Sequence, residues 1–70
     1  MMPLSMARPG ESGLIKKING KDETKRFLEN LGFTEGSEVT IVSEISGNLI
    51  VNVKESRVAI DRAMAGRIMI

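Results

Sequence analysis

Apolar residues along this chain fall into short runs separated by glycine-bearing turns, and the spacing inside each run identifies the element it builds. Arg8-Pro9-Gly10-Glu11 reads as a type II turn, because Pro presets φ at the second position and Gly accepts a positive φ at the third. A strand follows with Leu14, Ile15 and Ile18 as its apolar members. The three-residue step from Ile15 to Ile18 breaks a strand's alternation and predicts a bulge or an early end near Lys16 and Lys17.

Asn19-Gly20-Lys21 then stops the strand, and Asp22 is the expected N-cap of a short helix, with Glu23 favourable in its first turn. Thr24, Phe27, Leu28 and Leu31 share one helical face, while Lys25, Arg26, Glu29 and Asn30 take the other. With Leu31 as C-cap, Gly32 occupies the left-handed position and Phe33 packs back on Leu28, which is a Schellman ending.

Thr34-Glu35-Gly36-Ser37 repeats the type II design, so a second strand starts near Glu38 and ends near Glu44. Ser46-Gly47-Asn48 signals a hairpin, after which Leu49, Val51 and Val53 face one way and Ile50, Asn52 and Lys54 the other. Glu55-Ser56 is the expected next turn, leading into a strand over Arg57 to Ile60. Asp61 then caps one helical turn through Arg62, Ala63, Met64 and Ala65, Gly66 ends it, and Arg67 to Ile70 forms a last strand.

This order predicts a mainly β fold of about five strands, with one α-helix between the first and second strands and a one-turn helix before the last. Closure into a small barrel removes the edges that an open sheet of this size would expose. The expected core is Leu14, Ile15, Ile18, Phe27, Leu28, Leu31, Val39, Ile41, Leu49, Val51, Val53, Val58, Ile60, Ile68 and Ile70.

Composition narrows the function. Seventy residues suit one domain over 1–70, and with no Cys and no His the fold rests on aliphatic packing rather than disulfides or zinc. The absence of Cys fits a reducing cytoplasm. No apolar run reaches the ~20 residues of a membrane helix, and no export signal opens the chain. Net charge is +1, split as +2 over residues 1–31, −3 over 32–53 and +2 over 54–70, too small for a dominant phosphate-binding surface. Only Phe27 and Phe33 are aromatic, so the Tyr and Trp platforms of peptide and single-strand binders are missing.

No catalytic residue is expected, because the chain offers no Cys, His or Tyr and Gly10-Glu11-Ser12-Gly13 lacks the length and Lys-Ser/Thr ending of a phosphate-binding loop. Glu35, Glu38 and Glu44 offer hard oxygen ligands, but without imidazole or thiolate they read as surface carboxylates, so neither metal nor cofactor is expected. Met1, Met2, Met6, Met64 and Met69 read as packing residues, and Arg57, Arg62 and Arg67 as solvated surface rather than a basic patch.

Met2-Pro3-Leu4, Pro9-Gly10-Glu11 with Gly13, Leu31-Gly32-Phe33, Gly36 before a strand, and Arg57-Val58-Ala59-Ile60 followed by Ala65 together resemble the FeoA family, in order and spacing, over nearly the whole chain. The resemblance implies an SH3-like barrel and a cytoplasmic, non-enzymatic accessory or regulatory role in bacterial ferrous iron uptake. Its implied partner is the cytosolic, GTP-binding part of the membrane transporter FeoB. Glu35 stands where the family often has Pro, and Glu55 and Ser56 where Gly is common, which affects two turns rather than the fold.

Helix ends and loops carry specificity on a rigid barrel, so Lys25, Arg26, Glu29, Leu31, Gly32 and Phe33, with Arg57, are the candidate partner-binding residues. Leu31 and Phe33 serve the core as well. Two other readings stay open: a nucleic-acid-binding small barrel, and a monomer or weak homo-oligomer that associates through an uncovered strand edge or the terminal methionines.

Overall fold

The computed structural model describes residues 1–70. Its elements are β1 (Ser12–Leu14), β2 (Lys17–Ile18), α1 (Asp22–Asn30), β3 (Glu38–Ile45), β4 (Asn48–Val53), β5 (Ser56–Asp61), α2 (Arg62–Ala65) and β6 (Ile68–Met69), preceded by a 3-10 turn at Leu4–Met6. One antiparallel sheet has the order β1-β3-β4-β5; a second pairs β2 with β6, and Pro3 bridges to Met69 on the other side of β6. Met2 and Ile70 donate backbone hydrogen bonds to each other's carbonyls at 2.9 and 2.8 Å, so the N-terminal segment extends the smaller sheet.

The first strand is therefore two strands, for a total of six. At the irregular step the chain changes sheets: Ile15 N–H bonds to Ser37 O, whereas Lys16 N–H bonds to Met69 O. The broken alternation marks a crossing of the barrel's corner, not a bulge. A bulge does occur in β3, where the register with β4 shifts between Ile41 and Ser43.

Local turn chemistry sets the rest of the path. Glu11 N–H bonds to Arg8 O and Ser37 N–H to Thr34 O, with φ of +92° at Gly10 and +87° at Gly36, so both type II turns form. The β3–β4 loop is two residues, Ser46 and Gly47, both at positive φ, the geometry of a type I′ hairpin. The β4–β5 loop has the same form but uses Lys54 and Glu55, one residue earlier than the sequence suggests, with φ of 47° and 64°. Ser56 is consequently strand rather than turn.

The core consists of Leu4, Ala7, Ile15, Ile18, Leu28, Phe33, Val39, Ile41, Leu49, Val51, Val53, Ile60, Ala65 and Ile68. It holds no polar or charged side chain. Leu31, Val58 and Ile70 pack against it from the rim rather than within it. Leu14 and Phe27 do not belong to it, being 56% and 50% exposed. Alternation in β1 turns Gly13 and Ile15 inward and Leu14 outward, and the Ile70 side chain lies across Gly13, 3.1 Å from where a Cβ would sit.

α2 is capped as its sequence requires, with Met64 N–H donating to Asp61 Oδ1 at 2.8 Å. Arg62 then ties that end of the barrel together: Nη1 donates to Ser5 O at 3.2 Å, and Nη2 pairs with Glu44 Oε2.

Candidate functional site

α1 is the main element standing off the barrel, and its ends are built differently from each other. Lys21, not Asp22, is the N-cap, and no side chain caps the first turn; Asp22 and Glu23 instead lie inside it, where their charges favour the dipole. The C-terminus is tightly specified. Phe33 N–H bonds to Leu28 O at 3.0 Å and Gly32 N–H to Glu29 O at 2.9 Å, the two reversed bonds of a Schellman motif. Gly32 has φ +108°, and Leu28 and Phe33 are both fully buried beneath it.

Only Leu28 of the nine helical residues is buried, so the helix is held by a narrow stripe and presents most of its circumference outward. Lys25, Arg26 and Glu29 are exposed on that outer side. Phe27 lies a single residue, about 100°, around the helix from Leu28 and therefore sits at the margin of the stripe, half in solvent and on the flank away from Lys25 and Glu29. Past the helix, a Cβ on Gly32 would lie 3.6 Å from Val53 Cγ1 and 3.8 Å from Lys54 Cβ, so the helix exit rests on the end of β4 and on Lys54.

The predicted partner-binding residues thus divide. Lys25, Arg26 and Glu29 share one exposed arc of the helix, Leu31 and Gly32 are half-buried at its exit, and Phe33 is buried and so not available for contact. Arg57 lies elsewhere, on the outer face of the larger sheet, where its Nε donates to Asn52 Oδ1 at 3.3 Å. It ends a polar row across all four strands, Ser12, Thr40, Asn52 and Arg57, whose first two hydroxyls are 2.9 Å apart. Phe27 and Lys54 are the surface residues that sequence reasoning left out. A hydrophobic-face count places Phe27 in the core, and only the narrowness of the buried stripe reveals otherwise.

Other clusters do not assemble. Glu38 and Glu44 stand at opposite ends of β3, about 20 Å apart at strand rise, and Glu44 is occupied by Arg62; no three acidic residues approach closely enough to share an ion. The three arginines are likewise dispersed. Arg57 is on the sheet, Arg62 is bound to Ser5 and Glu44, and Arg67 extends over Gly20 toward Thr24. No helix is long and apolar enough to cross a membrane.

Comparison with known proteins agrees with this architecture end to end. A protein of Methanocaldococcus jannaschii named, provisionally, Fe(2+) transport protein A is 33% identical over 70 residues, covering all of this chain and 85% of that one. A crystal structure of an iron uptake regulatory protein (FeoA) is 31% identical, with a TM-score of 0.89 over 96% of this chain and 89% of the other. The zinc complex of Stenotrophomonas maltophilia FeoA, described as a prokaryotic SH3 domain protein, is 28% identical with a TM-score of 0.85 over 99% and 88%. Residues 2–70 match the FeoA domain, and the chain belongs to the FeoA family, the SH3-like accessory proteins of ferrous iron transport.

Proposed function

We propose that this chain is a non-catalytic, cytoplasmic accessory protein that binds the cytosolic GTP-binding part of a FeoB-type transporter and adjusts ferrous iron uptake. The observation that carries this reading is the family match across residues 2–70, which leaves no part of the barrel to another family. The docking surface is the exposed circumference of α1, with half-exposed Phe27 as an apolar anchor on one flank and Lys25, Arg26 and Glu29 as charged contacts around the helix from it. A half-exposed aromatic on a rigid element is the kind of residue that anchors an interface. Iron itself need not touch this protein. The accessory role is exercised through contact with the protein that carries the ion.

Titrating isotope-labelled protein with the purified cytosolic part of the transporter, loaded in turn with GDP and a GTP analogue, tests the proposal. Amide shifts centred on residues 25–33 are expected in at least one nucleotide state. An unchanged spectrum at saturating transporter domain in both states overturns it.

A further inference from the structure

β5 is the last strand of the larger sheet and has a hydrogen-bonded neighbour, β4, on one side only. The two-residue turn at Lys54 and Glu55 fixes which backbone groups face which way. Val53 and Ser56 close the hairpin as a bonded pair, so by alternation Val58 and Ile60 also bond to β4. The N–H groups of Arg57, Ala59 and Asp61 therefore point away from the sheet, and none of them donates to another backbone segment. The carbonyls of Arg57 and Ala59 point the same way, while that of Asp61, as the N-cap carbonyl, accepts from the first turn of α2. Arg57, Ala59 and Asp61 are all exposed.

This edge carries six residues in unbroken register with β4, without Pro, Lys or a bulge to blunt it. Its sequence, Arg57-Val58-Ala59-Ile60-Asp61, is basic at one end, acidic at the other and small at the centre. Rotating a second copy about a two-fold axis at Ala59 gives an antiparallel pairing in which Arg57 faces Asp61 of the second copy, twice over. Ala59 then faces Ala59, and Val58 faces Ile60. The outward N–H of Ala59 meets the Ala59 carbonyl of the second copy, and the N–H of Asp61 meets the Arg57 carbonyl, each reciprocally. Parallel pairing in register would set Arg57 against Arg57, and a slip of two residues would separate the charges.

Side chains fit this arrangement as well. Arg57 and Asp61 lie on the same outer face, Arg57 is already extended along it toward Asn52, and Asp61 caps Met64 through Oδ1, leaving Oδ2 for a second contact. On that face, Ile50 and Ala59 are paired across β4 and β5, and β5–β5 pairing would set two such pairs side by side.

We propose that β5 is a self-association edge, joining two copies of this chain through antiparallel β5–β5 pairing centred on Ala59 and selected by reciprocal Arg57–Asp61 contacts. A single strand edge is a small interface, so the association is weak and concentration-dependent. The proposal does not depend on the iron-uptake reading.

Sedimentation equilibrium combined with amide exchange, from about 10 µM to about 1 mM protein, spans the range over which so small an interface changes occupancy. The mean mass is expected to rise toward that of a dimer, and the Ala59 and Asp61 amides, fast at low concentration, are expected to gain protection while Val58 and Ile60 are protected throughout. Arg57→Glu, which sets like charges opposite each other, and Ala59→Pro, which removes a donor that the β4 ladder does not use, should each hold the protein monomeric. A monomer at 1 mM overturns the proposal. So does a dimer unaffected by Arg57→Glu, or concentration-dependent protection at another segment, such as the exposed Met1 and Met6. Protection of β5 only when an extended peptide from a transporter is added would assign the edge to that partner instead.

Discussion

Lys54 and Glu55 show how a single residue type can work against the fold it belongs to. Both sit at positive φ, 47° and 64°, in a two-residue hairpin loop that favours Asn and Gly. Each L-residue there carries a steric cost of about 1–2 kcal/mol, from which Gly is exempt at a cost in unfolded-chain entropy of about 0.5–1 kcal/mol. Glu55→Gly is therefore expected to stabilise the protein by about 0.5–1 kcal/mol, read as a higher urea midpoint with an unchanged slope. A lower midpoint would mean that the loop relaxes more easily than its dihedrals imply. Most turns were legible residue by residue, because Pro9-Gly10, Gly36 and Ser46-Gly47 announce positive φ by their composition. The Lys54-Glu55 turn was displaced by one residue because neither side chain signals it; only the pairing of Val53 with Ser56 does.

Among the elements, α1 separates structural from exposed hydrophobes most sharply. Leu28 and Phe27 are adjacent in sequence, yet one is fully buried and the other half in solvent. Leu28→Ala should cost about 2–5 kcal/mol, since it empties a packed site that also anchors the Schellman ending. Phe27→Ala should cost less than about 1 kcal/mol while removing the transporter-dependent amide shifts. Equal losses of stability in the two variants, measured by urea denaturation, would place Phe27 in the core after all. The end of this helix was readable in advance because the Leu31-Gly32-Phe33 signal is local. Its beginning was not: Asp22 has the chemistry of a cap, but the chain enters the helix one residue earlier, and nothing in the sequence distinguishes the two positions.

For the whole molecule, the least legible contribution comes from the first seven residues. Leu4 and Ala7 are buried although they belong to no strand, because a 3-10 turn folds them under the barrel against α2. No periodicity is present in so short a segment, and the tertiary contact alone accounts for their burial. A 70-residue domain has a total stability of about 4–10 kcal/mol, so Leu4→Ala, at about 2–5 kcal/mol, should remove a large part of it. Circular dichroism during thermal melting would register this as a fall of well over about 8 °C. A smaller shift would show that the N-terminal turn is dispensable. The mutual hydrogen bonds of Met2 and Ile70 carry a different implication. With residues 2 and 70 held side by side, the chain is nearly a loop, and its order of synthesis is not what its architecture requires. A short Gly-rich bridge between those residues, with the chain reopened between Ser46 and Gly47, should give a rearranged polypeptide that folds to the same barrel, since the cut falls on an exposed two-residue turn and severs no sheet.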